Sequence, residues 1–436
     1  MTSRLNELAK VFAALALSLP FMANAADLRE IYQLAKDNDP TIQAAFATFE
    51  AATKQVPLAR SAFRPQINVG FDASLNDIND DFSETFESTQ FSLSISQSLY
   101  HRSNAALLTQ AQLAVLQADA TLAAAQQSLI TRTAEAYFDV LRAEADLAFS
   151  RAELQAIGRQ KEQAEKRFEV GLATVIDVRE SQAQFDLAVA LEVAAQGTLG
   201  TALDALQLLT GTTIDTLDQL KDEIPLVTPE PAVMEDWVEI ALEQNLDLVS
   251  ARLQLDIADQ QVKSERGVRF PTVDVLAIGS SSTTTQDGRD DTDAGELRLE
   301  VRMPIYSGGS IGAQVARAEA EVDTALAQIR VQELSASLLA RESYRGVQTN
   351  ISRVRALRQA LDSTQKSAEA SDAGFRAGTR TSVDVLTALR DTFSARSDFV
   401  NARYDYILNT LSLKAAAGTL SESDLVAVNA LLKKAE

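Results

Sequence analysis

The sequence predicts an α+β membrane protein made of two copies of one unit, each combining short strands with very long helices. Three observations predict this class. Several motifs recur at a nearly constant distance, the strands alternate apolar and polar residues over about ten positions, and two segments favour helices too long for a compact domain. The two copies supply only four strands, whereas about eight are the lower limit for a closed barrel. We therefore expect several protomers to share one barrel, with eight strands in a dimer or twelve in a trimer.

The first 25 residues have the pattern of a secretory signal peptide. Arg4 and Lys10 give a positive start, residues 11–21 are mainly apolar, and Ala23-Asn24-Ala25 is a small-x-small cleavage site. An ordinary N-terminal helix is the alternative interpretation. No other segment holds the roughly 20 apolar residues that a spanning helix needs. We therefore expect export without an inner-membrane anchor.

Composition excludes several classes of site. The chain has 436 residues, no cysteine, one histidine and a net charge of −21. The missing cysteines exclude disulfides, thiolate metal sites and a cysteine nucleophile. With His101 alone, a multi-histidine zinc site is excluded and a Ser-His-Asp triad would need that residue as its base. So acidic a chain is a poor partner for nucleic acid. We expect no enzymatic activity, no cofactor and no metal, although carboxylate-only metal sites stay formally open.

Internal repeats divide the chain into two related halves. Pro65 in Phe-Arg-Pro-Gln-Ile matches Pro271 in Arg-Phe-Pro-Thr-Val, 271 − 65 = 206 positions later. Gly171 in Phe-Glu-Val-Gly-Leu-Ala-Thr matches Gly378 in Phe-Arg-Ala-Gly-Thr-Arg-Thr, 378 − 171 = 207 positions later. Further pairs at these offsets are Tyr100 with Tyr306, Tyr137 with Tyr344, and Asp177 with Asp384.

Each repeat has the same predicted order: a helix, two strands, a very long helix, a short glycine turn and a final helix. Pro40 is expected to interrupt the first helix. The join between the repeats is rich in proline from Pro225 to Pro231 and is expected to be irregular. The predicted parts are a signal peptide at 1–25, a first repeat at 26–215, a linker or equatorial region at 216–232, and a second repeat with a C-terminal equatorial segment at 233–436.

The predicted strands have one apolar and one polar face, which is the pattern of a membrane barrel. A soluble half-buried sheet is the alternative interpretation. Leu276 and Ile278 break the alternation of the third strand. Acidic segments at 77–88 and 283–293 are expected to form long extracellular hairpin loops, which favours the barrel. The residues expected on the apolar face are Ile67, Val69, Phe71, Ala73, Leu75, Phe91, Leu93, Ile95, Leu99, Leu297, Leu299, Val301, Met303 and Ile305.

Two segments favour helices of unusual length. Between Ser103 and Arg167 there is no proline and only one glycine, Gly158, and the composition favours helix. Some 65 residues would span roughly 100 Å. Apolar residues recur at three/four spacing in both repeats, so we interpret them as coiled-coil core rather than as a cofactor site. A barrel element joined to helices of this length indicates a duct.

The two glycine-turn segments carry a resemblance to a known family. Residues 168–178, Phe-Glu-Val-Gly-Leu-Ala-Thr-Val-Ile-Asp-Val, and 377–386, Ala-Gly-Thr-Arg-Thr-Ser-Val-Asp-Val-Leu, resemble the TolC family of outer-membrane efflux proteins, and the likeness continues at 401–404 and 417–420. The resemblance implies a homotrimer with a shared 12-stranded outer-membrane β-barrel, continued by a long α-helical coiled-coil periplasmic barrel with a mixed equatorial region.

The same resemblance implies a function and a set of partners. The function is a passive channel, the exit duct of a tripartite efflux pump or a type I secretion system. The expected partners are outer-membrane lipid, a periplasmic membrane-fusion adaptor and an inner-membrane transporter of the ABC or RND type.

The resemblance assigns the two glycine turns to adaptor docking at the periplasmic entrance. Glycine allows a tight left-handed turn and the close approach of a partner's backbone. Without the resemblance, a hairpin turn with no partner would be the favoured interpretation. The expected docking residues are Val170, Gly171, Leu172, Ala377, Gly378 and Thr379.

The resemblance also implies an entrance gate just inside the turns. Asp384 matches an aspartate that forms a ring around the pore in the trimer, and Arg380 and Asp177 match members of the polar links that close the entrance. We expect closure to rely on Arg380 with Asp177, or to recruit Arg376, and a weaker cation block than in an entrance with two acidic rings. The reason is three departures from the family pattern: Thr387 replaces a second pore-facing acid, Phe375 a tyrosine and Ile176 a threonine.

Two other functions compete with the duct. A periplasmic coiled-coil structural protein, with a soluble sheet and no membrane barrel, would have similar helices. A carboxylate-based enzyme would need paired acids in a pocket, and the sequence gives no such pair. The predicted location is the outer membrane with a large periplasmic portion, and the sequence leaves the cargo open.

Overall fold

A computed structural model describes residues 26–79, 83–214, 216–286 and 288–434. The predicted signal peptide at 1–25 lies outside the described residues, as do Asp80, Asp81 and Asp287 of the predicted loops. The helices are α1 Leu28–Asn38, α2 Pro40–Ser61, α3 Arg102–Glu169, α4 Val175–Thr210, α5 Met234–Gln244, α6 Leu246–Gly267, α7 Ser310–Arg376, α8 Ser382–Ala416 and α9 Glu422–Asn429. The strands are β1 Gln66–Asn79, β2 Ser83–Tyr100, β3 Gln219–Leu220, β4 Thr272–Thr284, β5 Thr292–Arg302 and β6 Leu432–Lys433.

The two repeats share one order of elements. Each has two short helices, two strands, a helix of 68 or 67 residues, a turn, and a helix of 36 or 35 residues. Both final helices are followed by a glycine with positive φ, Gly211 at 73° and Gly418 at 74°. The internal repeat predicted from sequence is therefore present in three dimensions.

The single helix predicted to open each repeat is a pair of helices. Pro40 occupies the first position of α2, where its missing N–H costs no hydrogen bond, and Asp39 caps the same helix. The second repeat breaks at Asn245, whose side-chain oxygen accepts from Leu248 N at 3.1 Å and whose amide donates to Ala416 O at 3.0 Å. The predicted interruption at Pro40 is confirmed. The matching break at Asn245 was not predicted, because an asparagine alone is a weak signal for a helix break.

The cap residue Asp39 is also the buried partner of an ion pair. Its Oδ2 lies 2.5 Å from Nη2 of Arg132 on α3. Burial alone would raise the pKa of Asp39, but hydrogen bonds from Arg132 and Thr41 outweigh it and hold the pKa below its ordinary value. The pair fixes the start of α2 on the long helix α3.

The long helices give the molecule its extent. At 1.5 Å per residue, α3 and α7 are each roughly 100 Å long. His101 caps α3, because its Nδ1 accepts from Asn104 N at 3.3 Å. In the described part of the chain, no helix is both long and apolar enough to cross a bilayer.

The four long strands form one antiparallel sheet in the order β1-β2-β4-β5. The hairpins of the two repeats are joined through β2 and β4, where Phe91 lies opposite Ser281. Strands β1 and β5 are the two edges of this sheet. Helix α2 leads into the β1 edge and helix α7 follows the β5 edge, so the edges of the sheet continue into the helical part.

One face of the sheet is apolar and uncovered, as the alternation predicts. Ile67 lies opposite Ile95, and both side chains are exposed. Leu276 and Ile278 lie opposite serines, so they share the polar face. Met303 and Ile305, predicted as strand residues, lie beyond the end of β5. Exposed apolar side chains on this face include Val69, Phe71, Leu75, Phe91, Leu93, Leu297, Leu299 and Val301.

The prediction of a long acidic loop at 77–88 is wrong for most of its length. Strands β1 and β2 run over 14 and 18 residues rather than about ten. Asp77 lies opposite Thr85, whose hydroxyl donates to Asp77 Oδ1 at 3.3 Å. Such polar cross-strand pairs extend the hairpin beyond the apolar band. In the second hairpin a loop does remain between Thr284 and Thr292.

The main apolar core lies midway along the helices. Tyr137 and Phe138 of α3 are fully buried, and the Phe138 ring lies 5.4 Å from the ring of Tyr404 on α8. Residues of α1, α4 and α9 complete this core. Towards the sheet, α2 packs on α3, α3 on α6, and α6 on α7.

The join between the repeats is a belt held against this core. Strand β3 of the belt pairs with β6 near the C-terminus. The Tyr137 hydroxyl donates to Asp218 O at 2.6 Å, and Val227 N donates to the Tyr406 hydroxyl at 2.9 Å. The belt therefore ties both long hairpins together at the equator.

The glycine turns offer a matched test of packing against backbone strain. Both Gly418 and Gly378 have positive φ, but a Cβ at Gly418 would overlap the Gln244 carbonyl while one at Gly378 meets nothing within 4 Å. We expect Gly378→Ala to cost about 1–2 kcal/mol from strain alone, and Gly418→Ala to cost clearly more. Thermal melting followed by circular dichroism would measure this. Equal losses in the two variants would contradict the close packing at Gly418.

The Asp39–Arg132 pair predicts a pH dependence. The depressed pKa of Asp39 means that its stabilising contribution is complete above 3.8 and is lost as pH falls through the lower folded value. We expect Arg132→Leu to destabilise by about 1–3 kcal/mol at pH 7, because a buried carboxylate loses its partner. This deficit should shrink towards pH 4, since burial then favours the protonated acid. Asp39→Asn is the control, because adding Arg132→Leu to it should give a pH-independent deficit.

Candidate functional site at the two hairpin tips

The predicted functional residues lie at two helix-hairpin tips. The first hairpin is α3 with α4, and its tip is residues 170–174. The second hairpin is α7 with α8, and its tip is residues 377–381. These positions correspond in the two repeats, so each chain presents two versions of one turn.

Glycine makes each turn possible. Gly171 and Gly378 both have φ 76°, a left-handed conformation that side chains with a Cβ rarely adopt. Leu172 N donates to Arg167 O at 2.7 Å, and Thr379 N donates to Gly374 O at 2.9 Å. Each bond reaches back across the turn to a helix carbonyl that would otherwise be unpaired. The two tips therefore have the same rigid backbone geometry.

A capping box starts the helix that leaves each tip. In the first, Asp177 N donates to the Thr174 hydroxyl at 3.2 Å and Thr174 N donates to Asp177 Oδ2 at 2.8 Å. In the second, Thr381 and Asp384 make the same two bonds at 3.2 and 2.8 Å. These reciprocal bonds satisfy backbone donors at the helix N-terminus. Both predicted gate aspartates are therefore capping residues.

The capping boxes also keep both aspartates ionised. Hydrogen bonds from the Thr174 hydroxyl and backbone hold the pKa of Asp177 below its ordinary value, with help from Arg167. Hydrogen bonds from the Thr381 backbone and hydroxyl do the same for the pKa of Asp384. A capping role and a charged pore-facing role are compatible for the same carboxylate.

The predicted docking residues are exposed at both tips, but the tips differ in character. The first presents apolar side chains, with Val170 and Leu172 about 70% exposed and Ile176 equally so. The second presents the small residues Ala377 and Thr379, which are exposed as well. Adaptor docking at these exposed residues stays a prediction.

The predicted gate residues are only partly brought together within one chain. Arg380 Nη1 lies 4.0 Å from Asp384 Oδ1, and Arg376 Nη2 lies 2.5 Å from Asp372 Oδ2. Among the described residues of a single chain, no ion pair joins Arg380 to Asp177. The pair of Arg380 with Asp177 stays a prediction. Thr387 lies one turn beyond Asp384 on α8 and is exposed.

Sequence reasoning missed Arg167. Its guanidinium lies 4.7 Å from the centre of the Phe375 ring, joining α3 to α7, and it is the cation that lowers the pKa of Asp177. A cation–π contact of this kind contributes about 0.5–1 kcal/mol at an exposed site. Phe375, which lacks the hydroxyl of the family's tyrosine, is therefore still tied to the first hairpin. The only signal of Arg167 in the sequence is that a basic residue lies one turn before Gly171.

No group of three or more His, Asp or Glu residues that could hold a metal ion occurs within residues 26–79, 83–214, 216–286 and 288–434. The tips bring together single carboxylates and guanidinium groups on exposed turns. That arrangement supports charge-selective passage and partner contact.

Comparisons with known proteins agree with this geometry. The family model described as outer membrane efflux protein matches residues 31–212 and 237–419, one match for each repeat. The chain is 37% identical over 417 residues to the outer membrane protein TolC of Vibrio cholerae, covering 94% of this chain and 95% of that protein. It is 28% identical to the alkaline protease secretion protein AprF of Pseudomonas aeruginosa, covering 96% and 90%.

Solved structures support the same fold. The crystal structure of outer membrane protein VceC from Vibrio cholerae superposes with a TM-score of 0.77 at 21% identity, covering 90% of this chain and 96% of that chain. The Campylobacter jejuni CmeC outer membrane channel superposes with a TM-score of 0.78 at 16% identity, covering 95% and 93%. The predicted α+β fold, in which an internal two-fold repeat builds four long strands continued by very long helices, is confirmed.

The relatives also decide between the competing functions. The relatives and neighbours are named as outer membrane, secretion and channel proteins, so the predicted duct function and the outer-membrane location are confirmed, and a periplasmic structural protein without a barrel is not supported. The two family matches, one on each repeat, and the 37% identity over nearly the whole chain lead to one conclusion: the chain belongs to the outer membrane efflux protein family.

Proposed function

We propose that three copies of this chain form a passive exit duct whose narrow entrance lies at the hairpin tips and whose tips dock a periplasmic adaptor. The observation that carries this proposal is a sheet with an uncovered apolar face and two free edges, continued by helices of roughly 100 Å. The chain supplies the conduit and no catalytic centre. Energy comes from an inner-membrane transporter of the ABC or RND type.

The free sheet edges support assembly into a ring. Backbone groups in lipid have no water to bond, so an open strand edge is not tolerated there. Pairing β1 of one protomer with β5 of the next satisfies both edges at once. Three protomers then give twelve strands, and the uncovered apolar face meets outer-membrane lipid.

The helical part has matching lateral edges. Leu58 on α2 and Leu334 on α7 are 65% and 74% exposed, and these helices continue the β1 and β5 edges. Large exposed apolar side chains in a row favour burial against another subunit. The α7 edge of one protomer is expected to cover the α2 edge of its neighbour.

We assign the parts of the chain with the bounds that the sequence predicts. Residues 1–25 direct export, the repeats at 26–215 and 233–436 build the duct, and the belt at 216–232 lies at its equator. AprF is named for protease secretion, and a 24% identical relative from Pseudomonas putida, TtgF, is named as a toluene efflux pump outer membrane protein. These names support two kinds of cargo, a secreted protein or a small molecule.

Cation block tests the entrance. Three Asp384 carboxylates facing one axis attract cations, but Thr387 supplies no second ring. In planar bilayers we expect multivalent cations to block the trimer in the micromolar range. Asp384→Asn should abolish the block, Thr387→Ala should leave it unchanged, and Thr387→Asp should strengthen it. Nanomolar block of the natural chain would contradict the single-ring entrance.

Adaptor capture tests the docking tips. Photo-crosslinking side chains at Leu172 and Thr379, both exposed, should capture a periplasmic membrane-fusion adaptor in intact cells. The same side chain at Phe71, equally exposed but on the lipid-facing sheet, is the matched control and should capture none. Capture from Phe71 but not from either tip would contradict docking at the tips.

A further inference from the structure

The two hairpins of one protomer meet along a seam between α3 and the second hairpin. Residues of α3 at four- and three-residue spacing face this seam, which places them on one side of the helix. The contacts, in order towards the tips, are Arg142 with Asp405, Asp146 with Ser397, Phe149 with Arg396, Glu153 with Arg390, Ile157 with Leu386, and Arg167 with Phe375.

The seam changes character along its length. At the equator it is part of the main apolar core, where Phe138 packs on Tyr404. Below the equator most of its contacts are hydrogen bonds, ion pairs and cation–π contacts. The apolar exception is a small cluster formed by Ile157, Ala188 and Leu386. Polar contacts can be exchanged for water at little net cost, so the lower seam is the separable part.

Within this separable region, Arg390 of the second hairpin contacts both helices of the first hairpin. It lies on α8, its Nη2 donates to Gln184 Oε1 of α4, and its Nε lies 3.9 Å from Glu153 Oε1 of α3. One guanidinium therefore joins α8 to both helices of the first hairpin. The planar, multi-donor group of arginine suits such a bridge.

The contact with Glu153 makes the bridge favour a position of α8 close to α3. Its side chain is only 12% exposed, and Oε1 has no hydrogen-bond partner in the described part of the chain. Burial raises the pKa of Glu153, and the nearby Arg390 opposes that rise. Moving α8 away would remove this cation from the carboxylate. The contact therefore favours the arrangement in which the hairpins are together.

The repeat relation shows that the pair belongs to the junction between hairpins. At the offset of 207 that relates Gly211 to Gly418, Arg390 corresponds to Ala183 and Glu153 corresponds to Ala360. Neither repeat carries both charges, so the interaction cannot form within one hairpin. It exists only where the two copies meet.

We propose that Arg390 is a positioning residue of the entrance, a latch that holds α8 against α3 and α4 and must release before the second tip can move outward. This proposal rests on the proposed entrance at the tips and names a residue, about two turns above Asp384, that controls its width. Arg167 on Phe375 secures the tip itself, and Arg390 secures the shaft above it.

Single-channel conductance of the full trimer in planar bilayers tests the latch. Arg390→Leu should raise conductance several-fold, and Arg390→Lys should give an intermediate value because it keeps the charge but loses the fork. Arg355→Leu, at an exposed position of α7, is the matched control and should equal the natural chain. A purely structural role would not be rescued by charge exchange. Arg390→Glu combined with Glu153→Arg should return conductance towards that of the natural chain.

Two outcomes would overturn the latch. One is natural conductance in Arg390→Leu, and the other is a charge-exchanged protein no narrower than Arg390→Glu alone. If Arg390→Leu fails to form trimers, the lysine and charge-exchanged variants decide in the same way. Arg380→Ser separates the two proposals: if it widens the channel while Arg390→Leu does not, only the latch fails. If the natural trimer conducts nothing and no variant opens it, the entrance proposal fails.

Discussion

A β-strand that faces lipid has no water to satisfy its backbone N–H and C=O groups, so every strand edge in the bilayer must be paired. In the described part of this chain there are four long strands, with β1 and β5 at the edges of their sheet. The constraint forces assembly, because neither edge can be satisfied within one protomer. It also sets the geometry below the membrane. Helix α2 enters the sheet at one edge and helix α7 leaves it at the other, so closing the barrel brings the helical edges of neighbours together.

The two repeats build the same set of elements, but the residues exposed at their tips differ. Both copies build a hairpin of strands, a helix of nearly 70 residues and a turn on a left-handed glycine. The threonine–aspartate capping boxes are the same in both turns. The copies differ at the surfaces they present. The first tip exposes Val170 and Leu172, whereas the second exposes Arg380 and small residues, so two turns of equal shape differ in their chemistry.

The sequence predicted those features that depend on local chemistry or regular spacing. Alternation identified the apolar face of the sheet, Pro40 marked a helix break, and the glycines located both tips. What it missed depends on contacts between distant residues. The break at Asn245 is held by a carbonyl more than 170 positions away, and the strands of the first hairpin continue through acidic residues because polar side chains pair across them. Arg167 was invisible because its partner, Phe375, lies in the other repeat.

The distribution of apolar contacts along the helices bears on how such a duct can open without coming apart. At the equator, Tyr137, Phe138 and Tyr404 are buried in the main core, and the belt is hydrogen-bonded across both hairpins. Separating the hairpins there would expose aromatic surface, at a cost of about 1.5–3 kcal/mol for each large side chain. Towards the tips the seam contains mainly guanidinium contacts that water can replace. Motion is therefore cheapest at the hairpin tips and most costly at the equator, so the same helices can be rigid at the equator and movable at the tips.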